Sequence, residues 1–214
     1  MRKTGILMPV SSLPSRTGVG EMGAEAYHFL TLLKESGIKI WQILPMNPVG
    51  YGNSPYQPYS SCAGDELYIS LDTLYEEGLL KERPEGFHEY ATKVDYDAVR
   101  LHKEPYLREA FQAFLTSGGC ETKDYQEFAD QSWVYEYGAF RALKKANGGC
   151  CWNEWKQEDK MWPDARTDLA PELETEVQYH MFLQYVFFSQ WMKLKEKANA
   201  YDIQICLLYT SDAA

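Results

Sequence analysis

Residues 45–61 read Pro-Met-Asn-Pro-Val-Gly-Tyr-Gly-Asn-Ser-Pro-Tyr-Gln-Pro-Tyr-Ser-Ser, placing Tyr51, Tyr56 and Tyr59 among amides and hydroxyls. A tyrosine ring offers a broad apolar face with a polar tip, so three of them in one segment make a stacking surface. The stretch carries no Lys or Arg. Neutral stacking and hydrogen-bonding groups without cations suit an uncharged polyhydroxylated ligand better than a phosphate, which calls for charge-assisted donors. The same residues also describe a rigid Pro/Gly loop whose tyrosines merely cover the mouth of the fold. Composition alone leaves both readings open.

The other reactive side chains form no pattern. Cys62, Cys120, Cys150, Cys151 and Cys206 are odd in number and contain no C-x-x-C pair, and the adjacent Cys150–Cys151 suit neither zinc ligation nor an ordinary disulfide. His28, His88, His102 and His180 are scattered, so no metal site is expected. Asp65–Glu66 read as a solvated turn rather than an acid/base pair, and Asp95 and Asp97 as part of a polar linker.

The elements that would position the tyrosine loop are legible from hydrophobic periodicity. An apolar run over residues 5–10 predicts a buried strand, stopped by Ser11-Ser12-Leu13-Pro14. Tyr27, Leu30 and Leu33 recur at helical spacing until Gly37, and residues 38–44 predict a second strand ended by Pro45. Strand, helix and strand within about forty residues form a βαβ unit, which requires parallel pairing. Residues 46–64 follow as a long loop, a length that in a compact fold marks function more often than filler.

Beyond residue 70 the pattern is mostly helical. Pro105 is expected in the first turn of a helix with Leu107, Ala110, Phe111 and Phe114 on one face. Asp124 is expected to cap a helix that runs through Phe128, Trp133, Tyr137 and Phe140 to Asn147. Residues 176–199 carry the strongest apolar stripe, and residues 202–205 begin a third strand. This order predicts an α/β protein: the start of a (β/α)8 TIM barrel, three strands long, with a mostly helical insertion. The divisions are 1–64 for the first two βα units and the loop, 65–175 for the insertion, and 176–205 for a helix and third strand. A closed barrel needs eight strands and about 250 residues, so the chain reads as an incomplete barrel.

Composition limits the partners. The 214 residues carry a net charge of −10, which argues against nucleic acid or an anionic membrane, since both call for a basic face. Residues 1–60 hold five Lys+Arg against three Glu, a net of +2, so the remainder holds −12. The acidity therefore belongs to the helical part and not to the tyrosine loop. With no signal-like or membrane-length apolar run, a cytoplasmic location is expected.

Several stretches together carry a family resemblance. They are Gly5-Ile6-Leu7, Ser12-Leu13-Pro14, Trp41-Gln42-Ile43-Leu44-Pro45, Gly50-Tyr51-Gly52-Asn53-Ser54-Pro55-Tyr56-Gln57, Trp152-Asn153-Glu154-Trp155 and Gln190-Trp191. In this order they resemble the amino-terminal region of the 4-α-glucanotransferases, the amylomaltase or disproportionating enzymes of glycoside hydrolase family 77. The resemblance implies a TIM-barrel enzyme that transfers α-1,4-glucan segments between maltooligosaccharides with retention, without metal or organic cofactor. It implies that Tyr56 stacks on the sugar at the cleavage point, with Ser54 and Gln57 flanking it as substrate-binding residues. It implies no catalytic residue in this chain, because the essential carboxylates lie on later barrel strands. The chain by itself is accordingly expected to be inactive. Two rivals are a non-catalytic glucan-binding module built on Tyr51, Tyr56 and Tyr59, and a hydrolase of the α-amylase type.

Two departures from the family pattern stand out. Asp65-Glu66 occupy a place where the family often has Asn-Pro, and residues 206–214 replace an expected Gly-Asp continuation. The latter reads as a non-native tail, to be left out of fold reasoning. A natural terminus there would leave an open parallel sheet with an unpaired edge.

Overall fold

The computed structural model of the chain describes residues 2–50, 52–87 and 93–207. Tyr51, His88 and the tail residues 208–214, all named above, lie outside the described residues. Three strands among the described residues form one parallel sheet in the order β1-β2-β3: β1 is Gly5–Leu7, β2 is Ile40–Ile43 and β3 is Gln204–Leu207. Ile6 pairs with Trp41, and Trp41 in turn with Ile205. The chain is thus an α/β protein, with helix far outweighing strand among the described residues.

The first crossover is α1, Ala24–Glu35. Its Ala26, Leu30 and Leu33 are buried at the spacing that one helix face requires. It ends where the Ile38 N–H bonds the Leu33 carbonyl and the Gly37 N–H bonds that of Lys34. That is the Schellman arrangement, and Gly37 supplies its left-handed residue at φ 70°. Trp41, fully buried on β2, donates its indole N–H to the Met8 carbonyl at 2.8 Å and meets the Phe29 ring edge-on at 5.0 Å. One side chain so ties both strands to the crossover helix.

The strands are shorter than the apolar runs suggest. After Met8, whose N–H still bonds the Gln42 carbonyl at 2.9 Å, the chain leaves the sheet for a 3-10 turn, Val10–Ser12, closed by the Ser12 and Leu13 N–H groups on the Pro9 and Val10 carbonyls. β3 starts at Gln204 and continues two residues past Ile205, with Cys206 and Leu207 paired to Gln42 and Ile43. Those two tail residues are part of the sheet.

The helices differ from expectation at their boundaries. α2 is Leu71–Glu76, α3 Tyr96–Thr116, α4 Lys123–Ala129, α5 Ser132–Ala146, α6 Gln157–Ala165 and α7 Pro171–Ala200. Asp95 is no linker residue: its carboxylate accepts from the Ala98 N–H and caps α3, which places Pro105 in mid-helix. The buried Val99 and Lys103 anchor the added turns and outweigh the loss of one i→i−4 bond at the proline. Thr122, not Asp124, caps α4, and the helix expected over residues 124–147 is broken between Ala129 and Ser132.

The chain divides into two compact units, Met1–Ser117 with Val186–Ala214, and Gly118–Tyr185. The sequence reading draws its lines at residues 64 and 175 instead. The difference arises because residues 65–117 are bound into the strand-bearing unit by Lys103 of α3, which pairs with Glu21. The second unit has its own core, in which Ala139, Leu143, Trp155, Trp162 and Val177 are buried together. Gly138 sits within it against the Val177 carbonyl, too close for a Cβ.

Candidate functional site

The loop that follows β2 is held by its own backbone and by short polar side chains. Val49 and Pro58 form an antiparallel bridge, and the Tyr59 N–H donates to the Pro48 carbonyl at 3.2 Å. Beyond that stem the Asn53 N–H reaches the Gly50 carbonyl, with Gly52 at φ 86° and Asn53 at φ 51°, a left-handed pair that glycine and asparagine adopt most readily. At the base, Asn47 Nδ2 donates to the carbonyls of Ser61 and Ala63 at 3.2 and 2.9 Å. The Ser60 hydroxyl accepts from the N–H groups of Cys62 and Ala63. The Asp65 N–H closes the loop onto the Met46 carbonyl at 2.8 Å. Irregular backbone so thoroughly bonded is a defined loop.

The three candidate residues lie in one turn of this loop. The Gln57 N–H donates to the Ser54 carbonyl at 3.1 Å, leaving Pro55 and Tyr56 at the corners, where proline's fixed φ suits the first. Tyr56 is 54% exposed, its ring presented at the turn, and Gln57 is exposed beside it. Tyr59, closer to the stem, is half-buried.

Next to the loop base a cleft of about 190 Å³ opens at the carboxyl ends of β2 and β3. Asn47, Ser61, Cys62, Phe187, Trp191 and Leu207 are among its lining residues. Its walls are aromatic and its polar groups uncharged; among the described residues no carboxylate lines it, and neither does Tyr56. Gly64 is required here, because a Cβ would run into the Phe187 ring. The arrangement can stack and hydrogen-bond a neutral ligand, but its described residues supply no proton-transfer pair.

Behind the loop sits the polar network that the sequence reading missed. Asp65 is buried, not solvated, and accepts two hydrogen bonds from the Arg100 guanidinium, at 2.9 and 2.7 Å. It also caps the following 3-10 turn through the Leu67 N–H at 3.0 Å, while Glu66 meets Arg100 at 3.2 Å. Burial pushes the Asp65 carboxyl up, against the pull of Arg100. Desolvation opposes the Arg100 charge, yet the two carboxylates outweigh it and hold the guanidinium above its ordinary value. One turn along α3, Lys103 Nζ donates to Glu21 Oε2 at 3.0 Å and to the carbonyls of Leu67 and Ile69 at 2.8 and 2.6 Å. Glu21 also accepts from the Thr17 hydroxyl at 2.7 Å. One signal in the sequence pointed there: Lys103 interrupts the apolar stripe Val99, Leu107, Ala110, Phe114, a position a solvated lysine would not take.

The profile of the family described as 4-alpha-glucanotransferase matches residues 8–213. A 4-alpha-glucanotransferase of Thermus thermophilus is 40% identical over 212 residues, covering 95% of this chain and 41% of its own length. One from Synechocystis is 40% identical over 216 residues, with 95% and 42% covered. The amylomaltase of Streptococcus agalactiae, solved in complex with acarbose, superposes with a TM-score of 0.86 at 32% identity, covering 97% of this chain and 43% of that one. The chain thus spans about two fifths of the length of these relatives.

Proposed function

The chain belongs to the 4-α-glucanotransferase family, and from that premise we propose that its protein transfers α-1,4-glucan segments from one maltooligosaccharide to another, or to glucose, with retention. The observation that carries the reading is the Tyr56 ring, exposed at the corner of a turn whose stem and base are hydrogen-bonded throughout. A ring held in place can stack on a glucosyl unit and keep water from the bond under attack, which favours a sugar acceptor over hydrolysis. Ser54 and Gln57, in the same turn, serve as flanking substrate contacts. The uncharged, aromatic lining of the neighbouring cleft supports a maltooligosaccharide as the ligand.

Retention needs a nucleophilic carboxylate and an acid/base carboxylate about 5–5.5 Å apart. The reading assigns neither to this chain and expects both on strands later than β3. It takes the sheet as the first three strands of a (β/α)8 barrel, with residues 65–175 as its insertion. In support, the parallel strands lie side by side in chain order, as a barrel winds, whereas a doubly wound sheet reverses direction at a switch point. A cytoplasmic setting goes with five free cysteines, which a reducing compartment keeps as thiols. No helix among the described residues is long and apolar enough to cross a membrane.

The test is maltotriose incubated with the full-length product of the reading frame that carries this chain. Maltopentaose with one glucose released per transfer is the expected outcome. Glucose and maltose without longer products would place the protein among the hydrolases, and affinity without turnover would make it a binding module.

A further inference from the structure

The unit Gly118–Tyr185 carries a second aromatic cleft, of about 200 Å³, lined by Trp152, Trp155, Trp162, Glu136, Asp159 and Arg166 among others. Two of the indoles are fixed walls. Trp155 and Trp162 are buried, and their N–H groups donate to the carbonyls of Cys150 and Thr167 at 3.2 and 3.0 Å. The third is different: of the six tryptophans only Trp152 is exposed, by 54%. A large ring left in water beside two buried ones offers a face to something not of this unit.

The rim's arginine is already matched. Arg166 pairs with Glu136 at 2.6 Å and lies over the Trp162 ring, 5.1 Å from its centroid. Its backbone is left-handed at φ 50°, held by its own N–H to the Trp162 carbonyl at 2.8 Å, which sets the guanidinium at the cleft. Asp159 accepts from Asn147 Nδ2 at 2.7 Å. An anionic ligand would have to break the Arg166–Glu136 pair. A neutral one need not, because a carboxylate with one partner keeps lone pairs for hydroxyl groups. At this volume the cleft falls below the roughly 300–1,000 Å³ of drug-sized pockets, which suits one hexose ring with the rest of a chain in solvent.

We propose that this cleft is an accessory glucan site, which holds one unit of an α-1,4-glucan on Trp152 with Asp159 and Glu136 accepting from its hydroxyls. The choice of an α-glucan rests on the function proposed above; the stacking site rests on the cleft alone.

Electrophoresis of the 214-residue chain through gels containing amylopectin tests it. Retardation of the wild type is expected. Trp152→Ala should weaken it roughly two- to tenfold, the range for one stacked ring, and Trp152→Phe should keep most of it. Trp152 is exposed, so these variants leave the core intact, and Tyr56→Ala serves as the control for the loop. Trp152→Ala migrating like the wild type, the result if the cleft seats a protein segment instead, would overturn the proposal, as would an unretarded wild type. Equal retardation in hydroxyethylcellulose would overturn the α-glucan assignment. Maltotriose transfer by the full-length protein judges the function separately: transfer present with Trp152→Ala silent in the gel removes this site alone.

Discussion

The side-chain amide of Gln190 brackets the backbone of Ser70 as a neighbouring strand would: Oε1 accepts from the Ser70 N–H at 2.7 Å, and Nε2 donates to the Ser70 carbonyl at 3.2 Å. Both residues are buried, so water cannot substitute. Gln190→Leu keeps the bulk and strands the Ser70 N–H, worth about 1–3 kcal/mol when left unsatisfied, while the Ser70 carbonyl keeps its bond from the Leu74 N–H at 3.3 Å. Urea unfolding should show the variant about 1–3 kcal/mol less stable than the wild type. A change below 0.5 kcal/mol would mean that the backbone finds other partners.

Lys103 and Glu21 give a sharper case. Among the described residues, Lys103→Met leaves the buried Glu21 carboxylate with only the Thr17 hydroxyl, and removing one partner of a buried pair costs about 3–5 kcal/mol. Adding Glu21→Gln removes the orphaned charge and should recover a good part of that loss. Equal instability of the single and double variants would show that the two carbonyl contacts of Lys103, not its charge, hold the site.

At Gly64 the limit is steric. Gly64→Ala drives a methyl group into the Phe187 ring and should destabilise by about 1–3 kcal/mol, as overpacking does. Phe187→Leu in the same chain should relieve the clash. Thermal unfolding of the three variants tests this, and additive losses would reject it.

Asp202 supplies a pH-dependent contact at the edge of the sheet. Its carboxylate lies 2.8 Å from Lys39 Nζ, and that hydrogen bond, with the charge behind it, holds the carboxyl below its ordinary value. A depressed folded-state value means that the contribution is present above the unfolded carboxyl range, near pH 4, and is lost as pH falls through the folded value. Asp202→Asn keeps a side chain that tolerates the left-handed φ of 56°, so it isolates the charge. The urea midpoints of variant and wild type should differ at pH 7 and converge at pH 2. A constant gap would remove the pH effect.

For the loop, Tyr56→Ala in the full-length protein should lower maltotriose transfer by roughly tenfold, with Tyr56→Phe near the wild type, since the ring face is what stacks. The share of product lost to hydrolysis should rise as the ring is removed. Unchanged transfer would withdraw Tyr56 from the glucan contact.

The βαβ order and the tyrosine loop were legible because their signals are local. Apolar residues two or three to four apart report which face is buried, Gly37 and Pro45 punctuate the elements, and the motif around Tyr56 lies in one short segment. Even there, boundaries moved where competing groups decided them: Asp95 capped α3 ten residues before Pro105, and the turn at Val10–Ser12 ended β1 early. The surroundings of Asp65, Lys103 and Ser70 were another matter. Their partners stand 35, 82 and 120 residues away in the chain, at Arg100, Glu21 and Gln190. Polar residues that share no periodicity carry no mark of whom they will face. Whether Asp65-Glu66 is a solvated turn or a buried ion pair depends on whether α3 packs over it, and only the tertiary structure decides that, because burial is what makes a partner necessary.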